Sequence, residues 1–133
     1  MKILIVDTYY DKFLKTFYKK NPSLKNSEYN SQLKDLLNSN FGTSDSYSYY
    51  FNKNNWEADD LIVNCLFLQK EWAKNKNIKI PNLISKIPHK FLKLPIIGKK
   101  LGNMNGLLYI AKEQIKSYKP DILYCQDLSF FPE

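Results

Sequence analysis

The segment that most constrains the fold is the last apolar run of the chain. Residues 118–128 contain a Lys-Pro-Asp turn, then Ile122 to Cys125, and then the polar pair Gln126 and Asp127. This pattern is typical of a parallel strand that is buried on both faces and delivers polar groups to the carboxyl edge of an open α/β sheet. We therefore expect a functional site at that edge.

The amino-terminal residues predict a second strand of the same kind. Ile3 to Val6 form a continuous apolar run that ends at Asp7 and Thr8. The run is too short for the apolar region of a signal peptide and ends in an acidic residue. We expect it to be the central strand, with Asp7 and Thr8 either lining a cleft or only forming a turn.

Helical patterns separate the strands. Alternating strands and helices predict βαβ units and a parallel sheet, so the expected fold class is α/β, a Rossmann-like open parallel sheet with helices on both faces. A helical insertion is predicted over about 10–40, with one helix over 10–19 and a second helix capped by Ser27. It is followed by a helix around 47–53 capped by Ser44 or Asp45, a strand over 61–63 and a helix from Leu66 to about Asn75. The rest of the chain before the last strand is an irregular segment over about 78–106 and a helix over 107–118.

Length and strand order also bear on domain organisation. A chain of 133 residues is about one domain, long enough to bury a core. Because the chain stops soon after a strand whose edge should be functional, we expect 1–133 to be a single Rossmann-like domain of a longer two-domain enzyme.

Charge and cysteine usage exclude several classes. The formal net charge is +7, but all 20 basic residues are lysines, which lack the guanidinium fork that reads guanine and phosphate. We therefore expect surface lysines and no nucleic-acid partner.

Cys65, Cys125 and the single His89 match no metal-ligand spacing, so no metal is expected. No apolar run reaches the ~18 residues of a membrane span, and we expect a cytoplasmic protein.

A short loop is the second candidate for ligand binding. Gly42, Thr43 and Ser44 stand just before a predicted helix, where free backbone N–H groups can hold a phosphate or a sugar hydroxyl. The same residues also fit an ordinary helix N-cap.

Three blocks together resemble the amino-terminal half of GT-B glycosyltransferases of the glycogen-synthase-like and family 4 branch. The strand at 2–6 matches the family's first strand. The loop at 42–44, the helix at 47–53 and the turn at 55–58 match its glycine loop and the Gly-His-Glu-Val turn, with Asn55 and Trp56 in place of Gly and His. Residues 120–127 match a Pro-Asp-Val-Val-His-Ala-His-Asp motif, in which Gln126 replaces the second histidine and Asp127 is retained.

The resemblance implies an acceptor-binding domain that works with a separate donor domain. The implied reaction moves a sugar from a nucleotide sugar, the co-substrate, to an acceptor hydroxyl, with no other cofactor. Gly42, Thr43, Ser44 and Gln126 would contact substrate, and Asp7 and Thr8 could line the same cleft. Asp127 would orient the acceptor hydroxyl, or act as its base if a neighbour raises its pKa; its alternative role is to cap a turn after the strand.

Other interpretations remain open at this point. The segment 86–101 mixes lysines with apolar residues and indicates either a packed surface loop or contact with an anionic membrane, which would suit a lipid-linked acceptor. A non-catalytic Rossmann-like binding module would share the predicted fold. A receiver-type signalling domain is disfavoured. In such a domain an acidic pair ends the first strand and the phosphorylated aspartate lies about fifty positions later, whereas here Asp7 is followed by Thr8 and the second similar block comes much later.

Overall fold

The protein folds around a three-stranded parallel sheet. A computed structural model describes residues 1–80 and 104–130 in full and, over 95–103, the helical backbone alone. The strands are β1 (Lys2–Asp7), β2 (Glu57–Ile62) and β3 (Ile122–Cys125), in the spatial order β2-β1-β3. Val6 is in register with Leu61 on one side and Cys125 on the other. The predicted parallel sheet with β1 at its centre is confirmed.

Helices connect the strands. They are α1 (Asp11–Lys20), a 3₁₀ helix (Pro22–Asn26), α2 (Tyr29–Leu37), α3 (Ser46–Lys53), α4 (Leu66–Asn75) and α5 (Pro95–Tyr118). The predicted helical insertion after β1 is therefore present as α1, the 3₁₀ helix and α2. None of the helices over 1–80 and 95–130 is long and apolar enough to cross a membrane.

Both faces of the sheet are covered by helices. On one face Ile3, Ile5 and Ala58 pack against Phe51 of α3 and the neighbouring Trp56. On the opposite face, buried residues of β1 and of the end of β2 pack against Ala111 of α5; they are Leu4, Val6, Leu61 and Val63. A third cluster joins α1, α2 and α4. This arrangement confirms the α/β Rossmann-like fold.

The second strand starts earlier than predicted. It begins at Glu57 rather than at Leu61, so the residues expected to form a turn are partly inside the strand. The sequence did not predict residues 57–60 as strand, because Asp and Glu are poor strand formers. The buried Asp60 is tolerated there because the hydroxyl of Ser48 donates a hydrogen bond to its carboxylate.

The irregular segment and the caps also need correction. Helix α5 already begins at Pro95, because proline is compatible with the first turn of a helix, where its missing N–H would be unpaired anyway; residues 81–94 lie outside the described part. The proposed cap residues Ser27 and Asp45 make no side-chain cap bond. The N-cap position of α2 is Glu28, and the hydroxyl of Ser27 donates to the carbonyl of Ser23.

The expectation that β3 is buried on both faces is wrong. Ile122, Leu123 and Tyr124 expose 39%, 43% and 40% of their surface. The strand pairs with β1 on one side, and no described residue pairs with its other side. Strand β3 is therefore an edge strand, although its apolar sequence is that of an interior strand.

Candidate functional site

Three loops meet at the carboxyl edge of the sheet. The hydroxyl of Thr8, which follows β1, donates a hydrogen bond of 2.5 Å to Asp127 Oδ2, which follows β3. The hydroxyl of Thr43, from the loop before α3, donates a bond of 2.9 Å to Gln126 Oε1. We call Asp7, Thr8, Gly42, Thr43, Gln126 and Asp127 the carboxyl-edge site. Sequence reasoning named all six, and the fold brings them together.

The loop before α3 has the backbone geometry of a tight turn. Asn40, Gly42 and Ser44 adopt positive φ angles of 51°, 61° and 50°. No heavy atom lies within 4 Å of the position that a Cβ on Gly42 would occupy. Glycine is therefore favoured at 42 for its backbone conformation and not for a close approach to other atoms.

Ser44 makes a hydrogen bond within the fold. Its side chain is buried, and its hydroxyl donates to the carbonyl oxygen of Leu37 at the end of α2. This bond joins the loop to the end of α2. Of the three loop residues, Thr43 is the one whose side chain reaches the strand ends.

The turn after β1 is held by two side chains. Asp7 Oδ1 accepts a bond of 2.7 Å from the backbone N–H of Thr8. Asn64, just after β2, accepts from the N–H of Tyr9 at 2.9 Å and donates to its carbonyl at 2.6 Å. Sequence reasoning missed Asn64, although a polar residue directly after an apolar run is the same signal that identified Asp7 and Asp127.

Asp127 accepts three hydrogen bonds, which lower its pKa. It accepts bonds from the backbone N–H of Ser129 at 2.8 Å and from the Ser129 hydroxyl at 2.6 Å, besides the bond from Thr8. The bond from the Ser129 hydroxyl, then the bond from Thr8 and then the bond from the Ser129 N–H lower the pKa of Asp127. The raised pKa that a base would need is therefore not found. The geometry fits an acceptor that orients a hydroxyl, and also a turn cap.

Asp7 has the opposite shift. Burial raises the pKa of Asp7, and the nearby charge of Asp127 raises it further, while the bond from the Thr8 N–H lowers it. The pKa values of two carboxyl groups of the carboxyl-edge site are thus shifted in opposite directions. Asp7 is the group of the pair that binds a proton more readily.

Gln126 offers an unused donor. Its Oε1 is occupied by Thr43, while its buried Nε2 has no hydrogen-bond partner among the described residues. An unpartnered buried donor costs about 1–3 kcal/mol, and a ligand oxygen would remove that penalty. Gln126 cannot exchange a proton near neutral pH, so its chemistry here is hydrogen bonding.

Two tyrosines extend the site along β3. The rings of Tyr47 and Tyr124 lie 5.2 Å apart at 52°, and a hydrogen bond with Tyr47 raises the pKa of Tyr124. Side chains alternate along a strand, so Tyr124 lies on the same face as Gln126. The two rings are 38% and 40% exposed and form an aromatic surface between α3 and β3. Sequence reasoning missed this surface, because Tyr47 was assigned only to a helix.

Glu57, the acidic residue of the family-like turn, lies at the other end of the sheet. It is in register with Lys2, whose Nζ is 2.7 Å from Glu57 Oε1. It therefore takes no part in the carboxyl-edge site.

Comparisons with protein-family models, curated proteins and solved structures found no significant match to this chain. Over the described residues, no three His, Cys, Asp or Glu side chains are grouped so that they could hold a metal ion. The chemistry available at the carboxyl-edge site is that of hydroxyl, amide and carboxylate groups beside two aromatic rings.

Proposed function

We propose that this chain is the acceptor-binding domain of a GT-B glycosyltransferase, which moves a sugar from a nucleotide sugar to an acceptor hydroxyl. The observation that carries the proposal is the pair of hydrogen bonds from Thr43 to Gln126 and from Thr8 to Asp127. These bonds join the end of the first block, the loop of the second block and the end of the third block at the carboxyl edge of the sheet. The parallel sheet supports the proposal, because ligands of such folds bind outside the carboxyl ends of the strands.

The residues of the site have distinct roles in this proposal. A hydroxyl of the acceptor donates to the carboxylate of Asp127, which its lowered pKa keeps charged at neutral pH. The free Nε2 of Gln126 donates to a second acceptor oxygen. Tyr47 and Tyr124 offer ring faces to the apolar face of a sugar or to a lipid-linked acceptor.

The reaction itself also needs groups from the separate donor domain. The acceptor oxygen forms a bond to the anomeric carbon, the bond from that carbon to the diphosphate oxygen breaks, and the nucleoside diphosphate leaves with the electron pair and takes up the proton of the acceptor hydroxyl. The donor domain would stabilise the charge on the diphosphate. Because the pKa of Asp127 is lowered, it is a weak base, and its proposed contribution is to position the hydroxyl rather than to remove its proton.

The low basicity of Asp127 favours a second candidate, a binding module without catalysis. Both candidates predict sugar binding by this chain. Only the transferase predicts that a protein carrying this domain and a donor domain hydrolyses or transfers from a nucleotide sugar. A cytoplasmic location and membrane contact through 86–101 belong to the same proposal; the side chains of that segment lie outside the described residues.

The binding step can be tested on the 133-residue chain. Saturation-transfer NMR with a panel of methyl glycosides should detect binding to at least one sugar. Replacing Thr43 by valine should weaken that binding about tenfold, the size expected for loss of a hydrogen-bonded group that orders the site. Thr16→Val is the matched control, because Thr16 lies on exposed α1 and bonds only to the Lys12 carbonyl.

The acidic residue has its own pair of variants. Asp127→Asn should weaken binding, whereas Asp35→Asn, on the exposed surface of α2, should not. Equal affinities for the Thr43 and Thr16 variants, or no binding of any glycoside, would contradict the proposal. Binding that persists in a two-domain protein without any turnover of nucleotide sugars would select the binding module.

A further inference from the structure

A second cavity lies at the opposite rim of the sheet. It has a volume of about 370 Å³, which is within the range of small-molecule sites. It opens between the starts of β1 and β2, the first turns of α2, and the carboxyl-terminal ends of α4 and α5. We call it the amino-edge cavity. The residues that matter for its chemistry are Lys2, Tyr29, Asp59, Lys76, Gln114 and Tyr118.

Asp59 places a carboxylate in this cavity. It has no hydrogen bond and no ion pair with any residue over 1–80 or 104–130. Lys2, whose charge acts on Asp59, makes its close contacts with other residues: its Nζ lies 2.7 Å from Glu57 and 4.3 Å from the centre of the Tyr118 ring. Asp59 is therefore an exposed carboxylate that the charge of Lys2 influences, but that no described residue binds by a hydrogen bond or an ion pair.

Gln114 adds a second unused acceptor. The residue is only 5% exposed, and its Nε2 donates to the hydroxyl of Tyr29 at 3.5 Å. Its Oε1 is buried and has no partner in the described part of the chain. The charge of Asp59 acts on the same Tyr29 hydroxyl, whose pKa is raised by burial first and by Asp59 second. These acceptors thus share one neighbourhood.

Lys76 supplies the opposite charge. It lies directly after α4, is exposed at the cavity, and forms no ion pair with Asp59 or with another described residue. The cavity therefore contains the carboxylate of Asp59 and the ammonium of Lys76, and neither is ion-paired with a described residue. The buried Asp60 also lines the cavity, but its carboxylate accepts a hydrogen bond from Ser48. The ends of α4 and α5 add partial negative charge near the acceptors, which favours a cation at that end.

We propose that the amino-edge cavity binds a small zwitterion of the amino acid class. The ligand's ammonium group donates to the carboxylate of Asp59 and to Gln114 Oε1, and its carboxylate faces Lys76. Such a ligand satisfies the buried oxygen of Gln114 and pairs both free charges at once. The inference does not depend on the proposed glycosyltransferase function, because the cavity is at the other end of the strands.

The test uses ¹⁵N-labelled chain and NMR titration. The probes are glycine, β-alanine and 4-aminobutyrate, which differ in the separation of their charges, with butylamine and butyrate as singly charged controls. We expect saturable shifts of the Gln114 side-chain amide and of the indole N–H of Trp72, which also lines the cavity, with at least one zwitterion. Butylamine and butyrate should bind at least tenfold more weakly.

Two variants and two controls complete the test. Asp59→Asn and Lys76→Gln should each weaken binding about tenfold, whereas Asp35→Asn and Lys74→Gln, on exposed surfaces of α2 and α4, should change it less than twofold. The absence of saturable shifts with all three zwitterions would overturn the proposal. Butylamine binding as tightly as the zwitterions, with Lys76→Gln unaffected, would overturn the assignment of a zwitterion.

Discussion

Replacing Asp60 by asparagine should stabilise the protein at neutral pH. Asp60 lies in β2, is 7% exposed, and accepts a hydrogen bond from Ser48 of α3. Burial raises its pKa from 3.8 to about 6, although the Ser48 bond lowers it; Asp45, Asp59 and Asp7 add smaller increases. Asparagine keeps an oxygen for the Ser48 hydroxyl and removes the buried charge.

The magnitude follows from the shift in pKa. A rise from 3.8 to about 6 is about two pKa units, each worth about 1.4 kcal/mol, so the ionised carboxylate costs at most about 3 kcal/mol. The folded pKa of Asp60 lies above the unfolded value. The stabilisation by its proton is therefore fully present below pH ~4 and is lost as the pH rises through ~6.

The measurement is urea unfolding followed by the fluorescence of Trp56 and Trp72, at pH 4 and at pH 8. The free energy of unfolding of Asp60→Asn minus that of the parent chain should be about 1–3 kcal/mol larger at pH 8 than at pH 4. Asp35→Asn, at an exposed position of α2, should show no such change. A difference between parent and Asp60→Asn that is the same at both pH values would refute a raised pKa for Asp60.

Three further predictions concern the core, the loop and the site. Leu36→Ala, at a fully buried position, should lower the free energy of unfolding in urea by about 2–5 kcal/mol. Gly42→Ala should cost only about 1 kcal/mol, because φ is 61° but the space is open; a much larger loss would contradict that geometry. In an NMR pH titration Thr8→Val should raise the pKa of Asp127 and Thr16→Val should not, and equal values would contradict the Thr8 bond.

The central strand could be predicted from sequence because its environment is uniform. Ile3 to Val6 are all buried, so an unbroken apolar run reports both faces at once. The start of β2 could not be predicted in this way, since Glu57, Asp59 and Asp60 interrupt the apolar pattern. A buried strand is possible there because the hydroxyl of Ser48, in the preceding helix α3, donates a hydrogen bond to Asp60.

The carboxyl-edge site was predictable as a grouping but not in its detailed chemistry. The rule that parallel strands end at one edge placed Thr8 and Asp127 together across 119 positions. The downward shift in the pKa of Asp127 depends partly on the N–H and the hydroxyl of Ser129, whose positions follow from a turn after the strand. The bond from the Ser44 hydroxyl to the Leu37 carbonyl could not be predicted either, because it depends on the positive φ angles of the loop.

Exposure of β3 and openness of the carboxyl-edge site are consequences of the same arrangement. Ile122 and Tyr124 face one side of the sheet and Leu123 the other, and all three are exposed, although parallel strands are usually covered on both faces. Gln126 and Asp127 directly follow them, so whatever covers β3 would also wall the open side of the site. The proposed transferase needs such a wall, because small ligands bind in concave sites. Covering of β3 in a larger protein would therefore complete the fold and the site together.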